Sequence, residues 1–349
     1  MASVRGALES TFPLLVPATV VVLMTAIVVG AGDELVGRVL TVGLMNLVIV
    51  IGLYIFVGNS GVFSFGHIAF AAIGAYTAGI LAVPPTSGNG TTGKDVLLSG
   101  LPTVLRDAHA SPLVSTLAGG LLAAAVAAVI SLPLMRLSGI AASIATFSLL
   151  LIVNVVASNW RSVTNGTGGI AGVPTSTTAW VALCWSLVAM VAAYLFQLTR
   201  FCLRLRASRE DEVAARAGGI GIYLERRYAF VLSAFVVGIG GALYGQYLGS
   251  FSPAAFYLPL TFTTVAMLVI GGVTSLAGAV FGSIFVATIS ELLRRTEEQV
   301  HVTALSQIGL AVVMLLVLTL RPGGLTGGAE VRLPGSLRQM RGKGAGDDV

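Results

Sequence analysis

Charge is what this sequence has least of: only 10% of its 349 residues are Asp, Glu, Lys or Arg, while 56% are hydrophobic and the mean hydropathy is +0.93. Soluble domains carry about 25% charged residues, so a water-solvated globular surface is excluded. Cysteine is nearly missing. Cys184 falls inside an apolar run and Cys202 just past that run's end, which leaves neither a disulfide framework nor a thiolate metal site. The sequence has no Gly-x-x-x-x-Gly-Lys-Ser/Thr phosphate loop, no Ser/His/Asp constellation and no metal-ligand spacing. The chain is therefore read as a non-enzyme, with any nucleotide chemistry on separate subunits. Strands of about ten alternating residues, the mark of a membrane barrel, are missing too.

Continuous apolar runs are present instead, each long enough to cross roughly 30 Å of hydrocarbon. Backbone polar groups in lipid must be satisfied within the segment, so the runs are helices. Ten spans are expected, at 12–30, 38–57, 66–83, 112–133, 138–158, 178–198, 228–250, 259–272, 276–293 and 303–320. The fold class is an all-α polytopic membrane protein with about ten transmembrane helices, some short or broken. We read residues 1–328 as the membrane domain, 84–111 as a turn-rich outside loop and 329–349 as a flexible tail. The first run has no small-residue cleavage site after it and is read as a retained span. Most of the 43 glycines serve close helix packing.

Alternating sidedness from a cytoplasmic N-terminus puts Arg5, Arg136, the seven arginines of 200–227 and five basic residues of the tail inside. Only Arg38, Lys94, Arg106, Arg161, Arg294 and Arg295 fall outside. This obeys the positive-inside rule, and it accounts for the net charge of +5 without a nucleic-acid partner.

The segment 200–227 also carries its own short helix. Ser208 is a good N-cap, and Asp211 completes a capping-box pattern. Glu210, Asp211 and Glu212 suit the positive end of the helix dipole, and Ala214, Ala215 and Ala217 propagate the helix. Gly218 or Gly219 supplies the left-handed end. The expected helix has about nine residues, roughly 13 Å. A bland solvated loop accounts for the charge, but less well for the defined start and stop.

Two Gly-rich breaks interrupt the apolar pattern. Gly61, Val62 and Ser64 recur as Gly272, Val273 and Ser275, an offset of 211. Paired interruptions of this kind point to a translocation pathway, although Gly and Ser also break helices for packing alone. Candidate pathway residues are Asn46, Gly61, Ser64, His67, Gly272 and Ser275. Ser64 and Ser275 either cap half-helices whose N-termini attract an anionic group or cap them in the ordinary way. His67 is a packing or capping residue, or faces the path. Asn46 and Asn154 are expected to hydrogen-bond across helices. Ionisable groups within the spans amount to His67 and Glu291, few for the rival class, an ion-coupled secondary carrier.

Glu212, Val213, Ala214 and Gly218 resemble the Glu-Ala-Ala-x-x-x-Gly loop of ABC importer permeases, with Val213 replacing an alanine. Gly61, Ser64, Gly66, His67, Phe70, Ile73, Gly74, Ala75 and Tyr76 are similar to the hallmark of branched-chain amino acid ABC permeases. Arg136, Gly139 and Thr146, then Thr167 to Pro174, resemble the LivM-type subunit of that family. So do Ser233, Gly238, Gly241 and Tyr244, Ser252 and Pro253, Val269 to Gly278, and Arg321, Pro322, Gly324 and Leu325. The likeness runs from about 58 to 325. Departures at Ala141, Ala142 and Ser148 to Leu151 leave the solute open, since urea-type permeases share most of these motifs. The resemblance implies an importer whose ATP and Mg sit on two partner ATPase subunits. It also implies a LivH-like second permease and an extracytoplasmic solute-binding protein. Ser208, Asp211, Glu212, Ala214, Ala215 and Gly218 then form the coupling helix that docks on the ATPase.

Overall fold

Every apolar run forms a helix, and the helix ends fall where capping residues and glycines allow them. The structure is a computed structural model describing residues 2–84, 110–300, 305–321 and 323–328. The body of the loop expected at 84–111 and the tail expected at 329–349 lie outside the described residues. In chain order the α-helices longer than four residues are α1 (Ala2–Ala31), α2 (Glu34–Leu53), α3 (His67–Ala82), α4 (Pro112–Leu134), α5 (Gly139–Asn159) and α6 (Ala179–Gln197). Two short polar helices follow, α7 (Arg200–Glu210) and α8 (Glu212–Ala217). Then come α9 (Ile222–Leu248), α10 (Leu258–Gly271), α11 (Leu276–Val300) and α12 (Leu305–Leu320). Among the described residues eight helices are long and apolar enough to cross a membrane, and His67–Ala82 and Gln307–Leu320 are shorter apolar helices. No strand occurs among them; a lone bridge joins Ile170 to Phe251.

The centre of the bundle is α9, packed against α3, α4 and α2. Close approach there rests on missing side chains. A Cβ added at Gly241 of α9 would lie 2.0 Å from the Ala71 carbonyl oxygen of α3, and one at Gly74 would lie 2.1 Å from that of Gly238. Small residues let backbones touch where lipid supplies no hydrophobic drive. Ser233 donates to the Gly52 carbonyl at 2.6 Å, fastening α9 to α2.

The spans expected at 259–272 and 276–293 form two separate helices. α10 and α11 run antiparallel, and the apposed Gly271 and Gly278 bring their backbones together, since a Cβ at Gly271 would lie 1.9 Å from the Gly278 oxygen. One shift from the expected spans is at α9, which begins at Ile222 rather than near 228. Glu225 and Arg226 extend the helix because both are buried and ion-paired, Glu225 with Arg204 and Arg226 with Glu212.

The loops read as lying on one side of the membrane gather at one end of the bundle. Arg209 reaches the Gly58 carbonyl, Ser143 the Phe63 carbonyl and Tyr223 the Leu132 carbonyl. At the opposite end the buried Gln246 amide donates to Pro112, Ser115 and Thr116 and accepts from Ser176. Asn154 bridges to the Pro253 carbonyl at 3.2 Å, the interhelical bond expected of it.

Thermal unfolding in detergent tests the backbone contact. Gly241→Ala should cost about 1–3 kcal/mol through overpacking. Gly37→Ala, at a helical glycine with nothing within 4 Å, should be neutral or slightly stabilising.

Candidate functional site: the arginine-rich loop and the helix break

Helix α7 starts at Thr199, whose hydroxyl accepts from the Cys202 amide at 3.2 Å. Spacing of three to four residues then places Cys202, Leu205, Arg206 and Arg209 along one side. Cys202 and Leu205 are fully buried. Burial pushes the Cys202 thiol up, against a lowering influence from Arg206. Arg204 points elsewhere and pairs with Glu225 at 3.3 Å.

This side of α7 meets the end of α2. After Leu53 the helix widens into a π turn, Tyr54–Gly58, and then breaks. Such turns leave backbone and side-chain groups with unusual partners. Asn59 folds its amide back onto the Ile55 carbonyl at 3.0 Å, which presents its side-chain oxygen outward. Arg206 donates to that oxygen from Nε at 2.7 Å and to the Tyr54 hydroxyl from Nη2 at 3.3 Å. The Cys202 thiol shares the same Asn59 oxygen at 3.2 Å, and the Gln197 amide reaches the Tyr54 hydroxyl. Arg209 donates to the Gly58 carbonyl at 2.8 Å. Its aliphatic stem lies across Gly61, where φ is +71° and a Cβ would sit 2.4 Å from Arg209 Cγ. Glycine is required there twice, for conformation and for space. Hydrogen bonds to charged groups contribute about 1.5–3 kcal/mol each.

Beyond Arg209 the expected single helix is two. Ser208 does not cap: it lies inside α7, buried, with its hydroxyl on the Leu205 carbonyl at 2.7 Å. The cap is Asp211, extended at φ −149° and ψ 108°, accepting from the Val213 and Ala214 amides at 2.8 and 2.9 Å. The loop helix expected from Ser208 therefore spans Glu212–Ala217, six residues rather than about nine. Asp211 wins because its carboxylate takes two amides at the positive end of the dipole. Gly219, at φ +79°, supplies the left-handed end, not Gly218 at φ −76°. Ile220 then bonds to the Ala215 carbonyl and Gly219 to that of Arg216, a Schellman closure.

Glu212 bonds Arg216 at 2.6 Å and the buried Arg226 of α9 at 3.2 Å. Ala215 packs inward, whereas Ala214, Ala217 and Gly218 are exposed and Val213 is 79% exposed. An apolar side chain held out on a rigid polar loop is available to a partner.

The two breaks touch each other. A Cβ at Gly58 would lie 2.5 Å from the Val273 carbonyl oxygen. They are not built alike. Ser275 caps α11 by accepting from the Gly278 amide at 2.9 Å. Ser64 instead bonds His67 Nδ1 at 2.6 Å, and Gly66 stands at the N-cap of α3. His67 is wholly buried among Phe56, Phe70 and Phe230, and its Nε2 has no partner among the described residues. Gly272, at φ +122°, turns the chain into the second break. A strap from 323 to 328 closes over it: the Leu325 and Thr326 amides bond the Ile270 and Gly271 carbonyls, and Thr326 meets Ser275 at 3.0 Å. The terminal motif around Gly324 and Leu325 thus fastens the second break. Asn46 stands apart in the middle of α2, buried, with Oδ1 unpartnered among the described residues. A separate apolar cavity of about 300 Å³ lies between α1, α2 and α11, and none of these six candidate residues lines it.

Sequence reasoning missed Tyr54, Asn59, Gln197, Arg206 and Arg209. The available signal was Arg206 and Arg209 spaced three apart with Cys202 on the same side of a helix. Amide exchange tests the revised cap. Asp211→Ala should cost α8 about 1 kcal/mol and speed exchange at Val213 and Ala214, while Ser208→Ala should leave both rates unchanged.

Comparison with known proteins places this geometry. The family described as branched-chain amino acid transport system, permease component, matches residues 35–318. The high-affinity branched-chain amino acid transport system permease protein LivM of Escherichia coli (strain K12) is 27% identical over 320 residues, covering 82% of this chain and 68% of the relative. LivM of Salmonella typhimurium (strain LT2) gives the same values. The nucleoside ABC transporter permease protein NupC of Lactococcus lactis subsp. cremoris is 38% identical over 96 residues, 27% of this chain and 26% of the relative. No solved structure matches. Eight spanning-length and two shorter apolar helices among the described residues, together with a family match across most of the sequence, make one conclusion: the chain is a multi-pass membrane protein belonging to the branched-chain amino acid ABC transporter permease family.

Proposed function

We propose that this chain is a permease subunit of an ATP-driven importer that moves branched-chain or related amino acids inward. ATP and Mg act on two partner ATPase subunits. A LivH-like permease completes the pathway, and an extracytoplasmic binding protein delivers the solute. The arginine-rich end, with both termini, faces the cytoplasm, in keeping with the bias of Lys and Arg toward that side. The observation that carries this reading is α8: a capped helix tied to α9 by Glu212 and Arg226, with Val213 turned outward. Closure of an ATPase dimer against α8 would press on α7 and α9, and the membrane helices would rock about the two touching breaks. The pathway runs past Gly61, Ser64, His67, Gly272 and Ser275, with Asn46 deeper in α2.

A second reading, nucleoside import, is favoured by the relative that shares a 96-residue stretch at 38% identity. Urea import is a third solute class for the same machinery. Uptake by vesicles holding the chain and its co-expressed partners separates them. Labelled leucine, isoleucine and valine should accumulate only with ATP inside the compartment that α8 faces. Accumulation of uridine or urea instead would change the solute. Uptake driven by an ion gradient without ATP would replace the importer by a carrier. Glu212→Ala, which leaves Arg226 buried without its partner, should reduce uptake about ten-fold or more, with membrane insertion unchanged on sedimentation.

A further inference from the structure

We propose that Arg206 and Arg209 are the positioning residues through which movement of the loop reaches the helix breaks. The inference rests on the importer reading above. Two sets of connections lead from the loop into the membrane helices. One reaches the start of α9, through Glu212 to Arg226 from α8 and Arg204 to Glu225 from α7. The other is the clamp formed by Arg206 and Arg209 on Asn59, Tyr54 and Gly58. Of these connections the clamp is the one bonded directly to the segment that meets the second break, where Gly58 lies against Val273.

The clamp is built to transmit force rather than to give. Arg206 spreads its planar fork over two acceptors, Tyr54 on the π turn and Asn59 just after it, a geometry that lysine cannot reproduce. Asn59 is held from behind by the Ile55 carbonyl, so its oxygen is aimed before Arg206 arrives. The Arg209 stem fills the space over Gly61, and its head closes on the Gly58 carbonyl. Positive charge alone would satisfy the sidedness rule anywhere in this loop. It would not require these acceptors.

The test compares uptake per ATP hydrolysed in reconstituted vesicles containing the whole importer. Arg206→Gln and Arg209→Gln should keep the ATPase subunits bound and hydrolysis within about two-fold, while uptake falls about ten-fold. Arg206→Lys should be as defective as Arg206→Gln, because the fork is lost although the charge remains. Unchanged uptake per ATP in the glutamine variants, or full rescue by lysine, overturns the inference.

A second variant guards against misassembly. Asn59→Cys places a thiol beside Cys202, in a background carrying Cys184→Ala. With the thiols reduced, uptake should be low. Diamide takes up the two electrons and two protons as the disulfide forms, and the covalent link should restore uptake by replacing the clamp. Oxidation that leaves uptake low, or reduction that leaves it normal, overturns the proposal. If the Cys184→Ala parent shows no ATP-dependent uptake, the importer reading fails with it; an active parent with fully active clamp variants removes the clamp alone.

Discussion

A guanidinium can leave water only where fixed acceptors meet it, and the arginine-rich end of this bundle is arranged around that requirement. Burying an unpaired charge costs several kcal/mol or more. The buried Arg226 is met by Glu212, the half-buried Arg206 by Asn59 and Tyr54, and the half-buried Arg209 by the Gly58 carbonyl and Glu210. Because those acceptors other than Glu210 belong to α2 and to α8, which stands at the foot of α9, the loop helices cannot shift without drawing on the two most buried spans of the bundle. The π turn at Tyr54–Gly58 and the left-handed Gly61 follow from the same constraint. A regular helix end would offer neither the turned Asn59 nor room for the Arg209 stem.

The two breaks divide the labour. The first receives the loop through the clamp and then starts α3 on His67, sealed among Phe56, Phe70 and Phe230. The second is a tight antiparallel turn held by Gly271 and Gly278 and covered by the strap from 323 to 328. Their shared Gly, Val and Ser spacing therefore serves different ends: Ser275 caps a helix, whereas Ser64 holds a ring. A likeness of sequence spacing here does not extend to equal geometry.

Most of the architecture was legible because lipid imposes length and composition on each span. Helix ends at Ala31, Leu134 and Gln197 fall within a residue of expectation. α9 escaped because Glu225 and Arg226 look like loop residues until their partners are known. The short loop helix was expected, but its start was misplaced. The capping-box pattern at Ser208 is local, and burial of Ser208 under the contacts of α7 overrode it. The clamp was invisible for a different reason. Its residues are 143 to 152 positions apart in sequence, and seven arginines in one loop are already accounted for by sidedness. Asn59 carries no pattern at all; only the folded chain shows what it holds.

The central claim is that α8 presents an apolar contact to an ATPase from a rigidly supported loop. Photocrosslinking in native membranes tests it most directly, with a benzophenone side chain placed at Val213 in one preparation and at the inward-packed Ala215 in another. The account predicts an adduct with an ATPase subunit from position 213 and none from 215. Adducts formed only with lipid at 213, or equally with the ATPase at both positions, would contradict it.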